Sequence, residues 1–94
     1  MKVTQETLDY IVKRAKDFGA KKVILFGSAL EDPEHARDID IACDIEGWDI
    51  FAFAGRVEQE LRILIDVVPL TPTNRFVEYI TKYGKVLYDT RPTP

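Results

Sequence analysis

Asp38 and Asp40 stand two apart in Asp38-Ile39-Asp40-Ile41-Ala42-Cys43-Asp44-Ile45. The alternation of acidic or small residues with apolar ones predicts a strand, and on a strand both carboxylates leave the same face, their Cα atoms about 6.5–7 Å apart. Like charges held that close raise each other's pKa unless a cation sits between them, and Mg2+, with its preference for oxygen ligands, suits such a pair. The same pattern also fits the solvated face of an edge strand, with Asp44 as a third acidic member. Asp66 bears on the choice. It interrupts Ile63-Leu64-Ile65-Asp66-Val67-Val68, a run apolar on both faces and so expected to be a central, covered strand. A carboxylate in such a strand needs a partner. The partner is a helix N-terminus, Arg56 or Arg62, or a cation shared with Asp38 and Asp40. If the two strands are neighbours, three carboxylates converge, which is what a two-metal phosphoryl-transfer site requires.

Gly27-Ser28 follows the apolar run Val23-Ile24-Leu25-Phe26. Glycine there permits close backbone approach, and the N–H groups of the turn together with the Ser28 hydroxyl can hold phosphate oxygens. A Gly-Ser pair is also an ordinary turn. Its place, one strand before the aspartate pair, is the informative part.

The elements that must position these groups follow from periodicity. Thr4 suits an N-cap, and Leu8, Ile11, Val12, Ala15 and Phe18 recur at helical spacing up to Gly19, a C′ glycine. Val23–Phe26 predicts a strand covered on both faces, and Ala29–Arg37 a loop that can open with a helical turn. Asp49 is placed to cap a helix with Ile50, Phe53, Ala54, Val57 and Leu61 on its inner face. Thr71-Pro72 has the form of an N-cap followed by proline at the first helical position. Phe76, Tyr79, Ile80 and Tyr83 continue that helix to Gly84, with Lys85–Tyr88 as a last strand. The order α-β-β-α-β-α-β predicts an α/β (α+β) fold, a small mixed sheet with helices packed on it. Residues 1–89 are expected to form one domain and 90–94 a flexible tail.

Composition narrows the function classes. The chain has 94 residues, one Cys and one His, which excludes a disulfide framework and a multi-His or Cys-rich metal site made by this chain alone. A net charge of −3 is the wrong sign for general nucleic-acid binding. The first ten residues have no signal-peptide core, and no apolar run approaches a membrane span, so a cytoplasmic protein is expected. His35 is expected at the surface and Cys43 in the core. Phe53 is expected to face the core and Trp48 and Phe51 to mark an exposed partner surface, while Tyr79 and Tyr83 are expected in the core.

Val23-Ile24-Leu25-Phe26-Gly27-Ser28-Ala29, then Asp38-Ile39-Asp40-Ile41, then Asp66-Val67-Val68 and the closing Gly84-Lys85-Val86-Leu87-Tyr88 together resemble the minimal nucleotidyltransferases of the DNA polymerase β superfamily. The resemblance covers nearly the whole chain. It implies that Gly27 and Ser28 hold the β- and γ-phosphates of ATP, that Asp38 and Asp40 ligate two Mg2+ ions, and that Asp66 completes the ion that activates an acceptor hydroxyl. It further implies transfer of AMP to a partner protein, a helical HEPN-domain toxin for which this chain is the antitoxin. The sequence departs from the family in carrying Ala29 and Leu30 where a basic or aromatic residue often follows Gly-Ser, and Arg37 or Lys21-Lys22 would have to supply the missing charge. That departure keeps open a second reading, a binding or scaffolding protein on the same fold without turnover. Homo-oligomerisation is left open.

Overall fold

The three longer helices arise from apolar stripes, two of them behind a side-chain cap. The computed structural model describes residues 2–90. Helix α1, Gln5–Asp17, begins where the Thr4 hydroxyl accepts a hydrogen bond from the Thr7 N–H, and it buries Leu8, Ile11 and Ala15. Strand β1 is Lys22–Phe26, the short helix α2 is Ser28–Glu31, and strand β2 is Ile39–Cys43. Helix α3, Asp49–Leu61, buries Ile50, Phe53, Ala54 and Val57; Trp48 rather than Asp49 is its N-cap residue, and Asp49 is the first helical residue, where a negative charge favours the helix dipole. Strand β3 is Ile65–Pro69, helix α4 Arg75–Tyr83 and strand β4 Lys85–Asp89.

The four strands lie in the order β3-β2-β1-β4. Strand β1 is antiparallel to both β2 and β4, and β2 is parallel to β3 through the α3 crossover, so the sheet is mixed as expected. One face is covered by α1 and α3 over Val23, Leu25, Ile39, Ile41, Cys43 and Ile65. Phe18 of the α1 C-cap meets Phe53 of α3 edge to face at 6.1 Å, and Arg14 bridges to Glu60 at 2.9 Å at the rim of the same contact. Fully burying Phe53 and Ile11 contributes roughly 2–3 kcal/mol each, so this layer dominates stability. Among the described residues the other face carries only α4, whose Ile80 presses on Ile24 and Ala42, and the end of that face at Asp40 and Asp66 is not fully covered.

Three further expectations change. The α4 N-cap is Asn74, whose side chain accepts from the Val77 N–H at 2.9 Å, and Thr71-Pro72 lies in the preceding loop. Asparagine ranks above threonine as a cap, and its position lets Val77 and Ile80 face the sheet together. Tyr79 and Tyr83 are exposed, at 55% and 60%, because Val77 and Ile80 occupy the inward stripe instead. Strand β3 is an edge strand rather than a central one; its second neighbour is missing, and Pro69 ends it, a residue suited to an edge. Of the expected tail, residues 91–94 lie outside the described residues, and Thr90 donates its N–H to the Lys21 carbonyl at 2.9 Å. Trp48, Phe51 and His35 are exposed, and Phe53 and Cys43 are buried, as expected. Among the described residues no helix is long and apolar enough to cross a membrane.

Candidate active site

The parallel pairing of β2 with β3 sets Asp40 opposite Asp66, and Asp38 enters from the residue just before β2. Residues in register leave the same face of a sheet, here the α4 face. One carboxylate oxygen from each of Asp38, Asp40 and Asp66 lies within 4.8 Å of the others. Asp38 and Asp40 are half-buried and Asp66 is exposed. The covered-strand argument for Asp66 therefore does not hold, while the convergence it was used to support does. No ion pair joins Asp66 to Arg56 or Arg62 among the described residues, and its neighbours are the two other aspartates.

The electrostatics follow from this crowding. Burial, then the charges of Asp38 and Asp66, push the Asp40 carboxyl up to about 6. Burial and a hydrogen bond shared with Asp66 also raise Asp38, against the opposing pull of the Arg37 guanidinium. A set of three oxygen donors whose charges repel is the donor chemistry of a hard divalent cation. The residues fit a magnesium-type ion.

Strand β1 brings the turn to the same place. Phe26 pairs with Asp40 across the sheet, so Gly27 arrives beside the Asp40 carboxylate. A Cβ built on Gly27 would come 2.0 Å from Asp40 Oδ2, and its φ of +74° is a conformation that favours glycine. Glycine is required here on both counts. The next residue, Ser28, has its Oγ buried without a hydrogen-bond partner. A buried hydroxyl ordinarily has a partner, and one left open beside a carboxylate cluster is suited to a phosphate oxygen.

Of the basic residues considered as substitutes, Arg37 lies near enough to Asp38 to act on its carboxyl. Lys21 and Lys22 do not reach the site. They sit at the opposite end of β1, their N–H groups bonded to Asp44 Oδ1 at 2.8 and 3.1 Å, and Lys22 Nζ bridges to Asp89 at 3.7 Å. Those two bonds also explain Asp44, which ties the β1 entry to the end of β2 and takes no part in the cluster. Ala29 is buried and Leu30 partly so, both packed into the core. Spacing gave no sign of one neighbour of the site, Phe76, whose ring meets Phe26 edge to face at 5.8 Å.

Comparison with known proteins places this geometry. The family model "Polymerase beta, Nucleotidyltransferase" matches residues 6–93. Solved structures that share the fold include a toxin–antitoxin complex with AMP-PNP, at TM-score 0.74 and 24% identity over 89% of this chain and 74% of the other. The MntA–HepT toxin–antitoxin aligns at TM-score 0.71 and 22% identity, over 93% and 74% of the two chains. A structure of tri-AMPylated Shewanella oneidensis HEPN toxin in complex with MNT antitoxin aligns at TM-score 0.71 and 24% identity, over 92% and 72%. No curated protein matches the chain.

Proposed function

The chain belongs to the polymerase β nucleotidyltransferase family, and from that premise we propose that it transfers AMP from ATP to a hydroxyl of a partner protein, as the antitoxin of a HEPN toxin–antitoxin pair. The observation that carries the reading is the convergence of Asp38, Asp40 and Asp66 within 4.8 Å beside the Gly27-Ser28 turn. Its similarity in fold to an antitoxin solved with an ATP analogue, and to one whose toxin is AMPylated, points to the nucleotide and to the acceptor class. Residues 1–89 act as one nucleotidyltransferase domain in the cytoplasm.

In the reaction the acceptor oxygen forms a bond to the α-phosphorus, the bond from that phosphorus to the bridging oxygen breaks, pyrophosphate leaves and the acceptor proton passes to solvent. Asp38 and Asp40 would hold two Mg2+ ions, with Asp66 contributing a ligand to one of them. When bound, these ions supply neutralisation of the phosphate charge and a lowered pKa for the incoming hydroxyl. Ser28 Oγ donates to a phosphate oxygen, and the bare Cα of Gly27 lets the chain approach the phosphates closely. The turn orients the outgoing phosphates, and Asp66, the exposed member of the triad, leaves its side of the cluster open to the acceptor. Histidine takes no part: His35 lies in an exposed loop against Asp32.

A second reading, binding without turnover, is favoured by one observation: Ala29 and Leu30 pack into the core, where a basic side chain facing the phosphates would otherwise stand. The test separates the two. The protein is incubated with the product of the gene beside its own, Mg2+ and ATP, and that product is weighed by intact mass spectrometry. A gain of whole AMP units that disappears with Asp38→Ala/Asp40→Ala supports the transferase. A stable complex without mass change establishes the binding protein.

A further inference from the structure

The sheet row that carries the carboxylates continues beyond them. Asp66 pairs with Asp40, and Asp40 pairs with Phe26, so the three side chains stand in line on one face. Phe26 is partly buried under α4 and meets the Phe76 ring at 5.8 Å with 85° between the planes. An edge-to-face pair uses the face of one ring and the edge of the other. Whichever role Phe76 takes, at least one of its faces remains uncommitted, and the residue is 51% exposed.

The orientation of α4 fixes where that face lies. Ile80 points down onto Ile24 and Ala42. Val77 and Thr81 line a cleft with Lys21, Lys22 and Asp44, at the end of the sheet away from the carboxylates. Phe76 and Tyr83, two turns apart and therefore on one side of the helix, look the other way, toward the carboxylate end. Tyr83 is already in contact with Tyr79, their rings 4.9 Å apart, which leaves Phe76 as the open aromatic of that side nearest the row.

We propose that Phe76 is the nucleobase platform of this site: the base of the nucleotide whose phosphates lie at Asp38, Asp40 and the Gly27-Ser28 turn stacks on its exposed ring. The inference rests on the nucleotidyltransferase reading and adds to it the residue that recognises the base. Phosphates drawn to the turn at the end of β1 leave the nucleoside on the α4 side of Asp40, one strand spacing and one ring contact from Phe76. Every base offers a π-face, so a phenylalanine platform binds nucleotides strongly without selecting sharply among them.

Calorimetric titration of the full chain in Mg2+, with ATP and with inorganic tripolyphosphate, tests the assignment. Wild-type protein is expected to bind ATP more tightly than tripolyphosphate. Phe76→Leu is expected to lose about tenfold in ATP affinity with tripolyphosphate unchanged, and Phe76→Tyr to keep the wild-type ratio. In a Trp48→Phe/Phe76→Trp protein, ATP but not tripolyphosphate is expected to quench the indole emission, a measurement that does not depend on how Phe76→Leu folds. Unchanged ATP affinity in Phe76→Leu, equal losses for both ligands, or no quenching overturns the platform and leaves the phosphate site standing. Wild-type protein that binds neither ligand overturns the nucleotidyltransferase reading and the platform with it.

Discussion

Replacing Gly27 with alanine tests the packing of the turn against the aspartates. The added Cβ would lie 2.0 Å from Asp40 Oδ2 and 2.9 Å from its Cγ, well inside contact distance, so the carboxylate must swing away by more than an ångström. Two costs combine. Holding alanine at φ +74° and ψ −155°, a region essentially confined to glycine, costs about 1–3 kcal/mol. Driving Asp40 off its rotamer, between strands that cannot yield, adds about 1 kcal/mol. Gly19 supplies the control: its φ is +87°, yet a Cβ there meets nothing within 4 Å. Gly19→Ala should therefore show only a backbone cost, and Gly27→Ala at least about 1 kcal/mol more, in urea denaturation without metal. The sharper difference is expected with Mg2+ or Mn2+. A cation that binds the folded state alone raises stability by mass action. Gly19→Ala should keep that increment, whereas Gly27→Ala, with Asp40 displaced, should lose most of it. Equal stability of the two variants together with an intact metal increment in Gly27→Ala would refute the geometry on which the site is built.

Three further outcomes are expected. Millimolar Mg2+ or Mn2+ should raise the melting midpoint of the wild type relative to EDTA, and ATP should add to it only when metal is present; a midpoint indifferent to metal would count against the triad. Asp66→Asn should abolish that increment yet leave the metal-free protein as stable as the wild type or more so, since it removes one of three like charges; a metal-free loss of a few kcal/mol, read by urea denaturation, would show instead that Asp66 holds a structural partner. For pH, the Asp40 carboxyl is raised to about 6, so the folded state binds its proton more readily than the unfolded chain, and this group's contribution is full below about pH 4 and lost as pH rises through 6. Discounted for its partial exposure to solvent, the loss is about 1–2 kcal/mol without metal. Asp40→Asn should lack that fall, and parallel stability–pH curves for the two proteins would contradict the shift.

Much of the site was legible in the chain because its parts are local. The alternation Asp38-Ile39-Asp40-Ile41 places two carboxylates on one face whatever surrounds the strand, and Phe26-Gly27-Ser28 ends a buried strand in a turn by the conformational freedom of glycine alone. The Thr4 cap and its apolar stripe likewise fix α1, and the stripe alone fixes the inner face of α3, within a few turns of chain. Other features depend on partners distant in sequence. Apolar residues on both sides of Asp66 predicted a covered strand; Ile65 packs under α3 and Val68 toward α4 even though β3 is the sheet's edge, so the two-faced pattern arises without a second neighbouring strand, and only Pro69 hinted at it. On α4, Val77 and Ile80 compete with Phe76, Tyr79 and Tyr83 for the inward stripe, and the sheet decides by what Ile24 and Ala42 accept. Lys21 and Lys22 look available beside a strand that leads to the site, yet β1 carries them to its far end. The 4.8 Å convergence of Asp66 with Asp38 and Asp40 exists only through the parallel register of β2 and β3, set by the α3 crossover and the core beneath it. Residue types are a property of the chain; which of them meet is a property of the packing, because a side chain acts on its neighbours in space and the sheet chooses those neighbours.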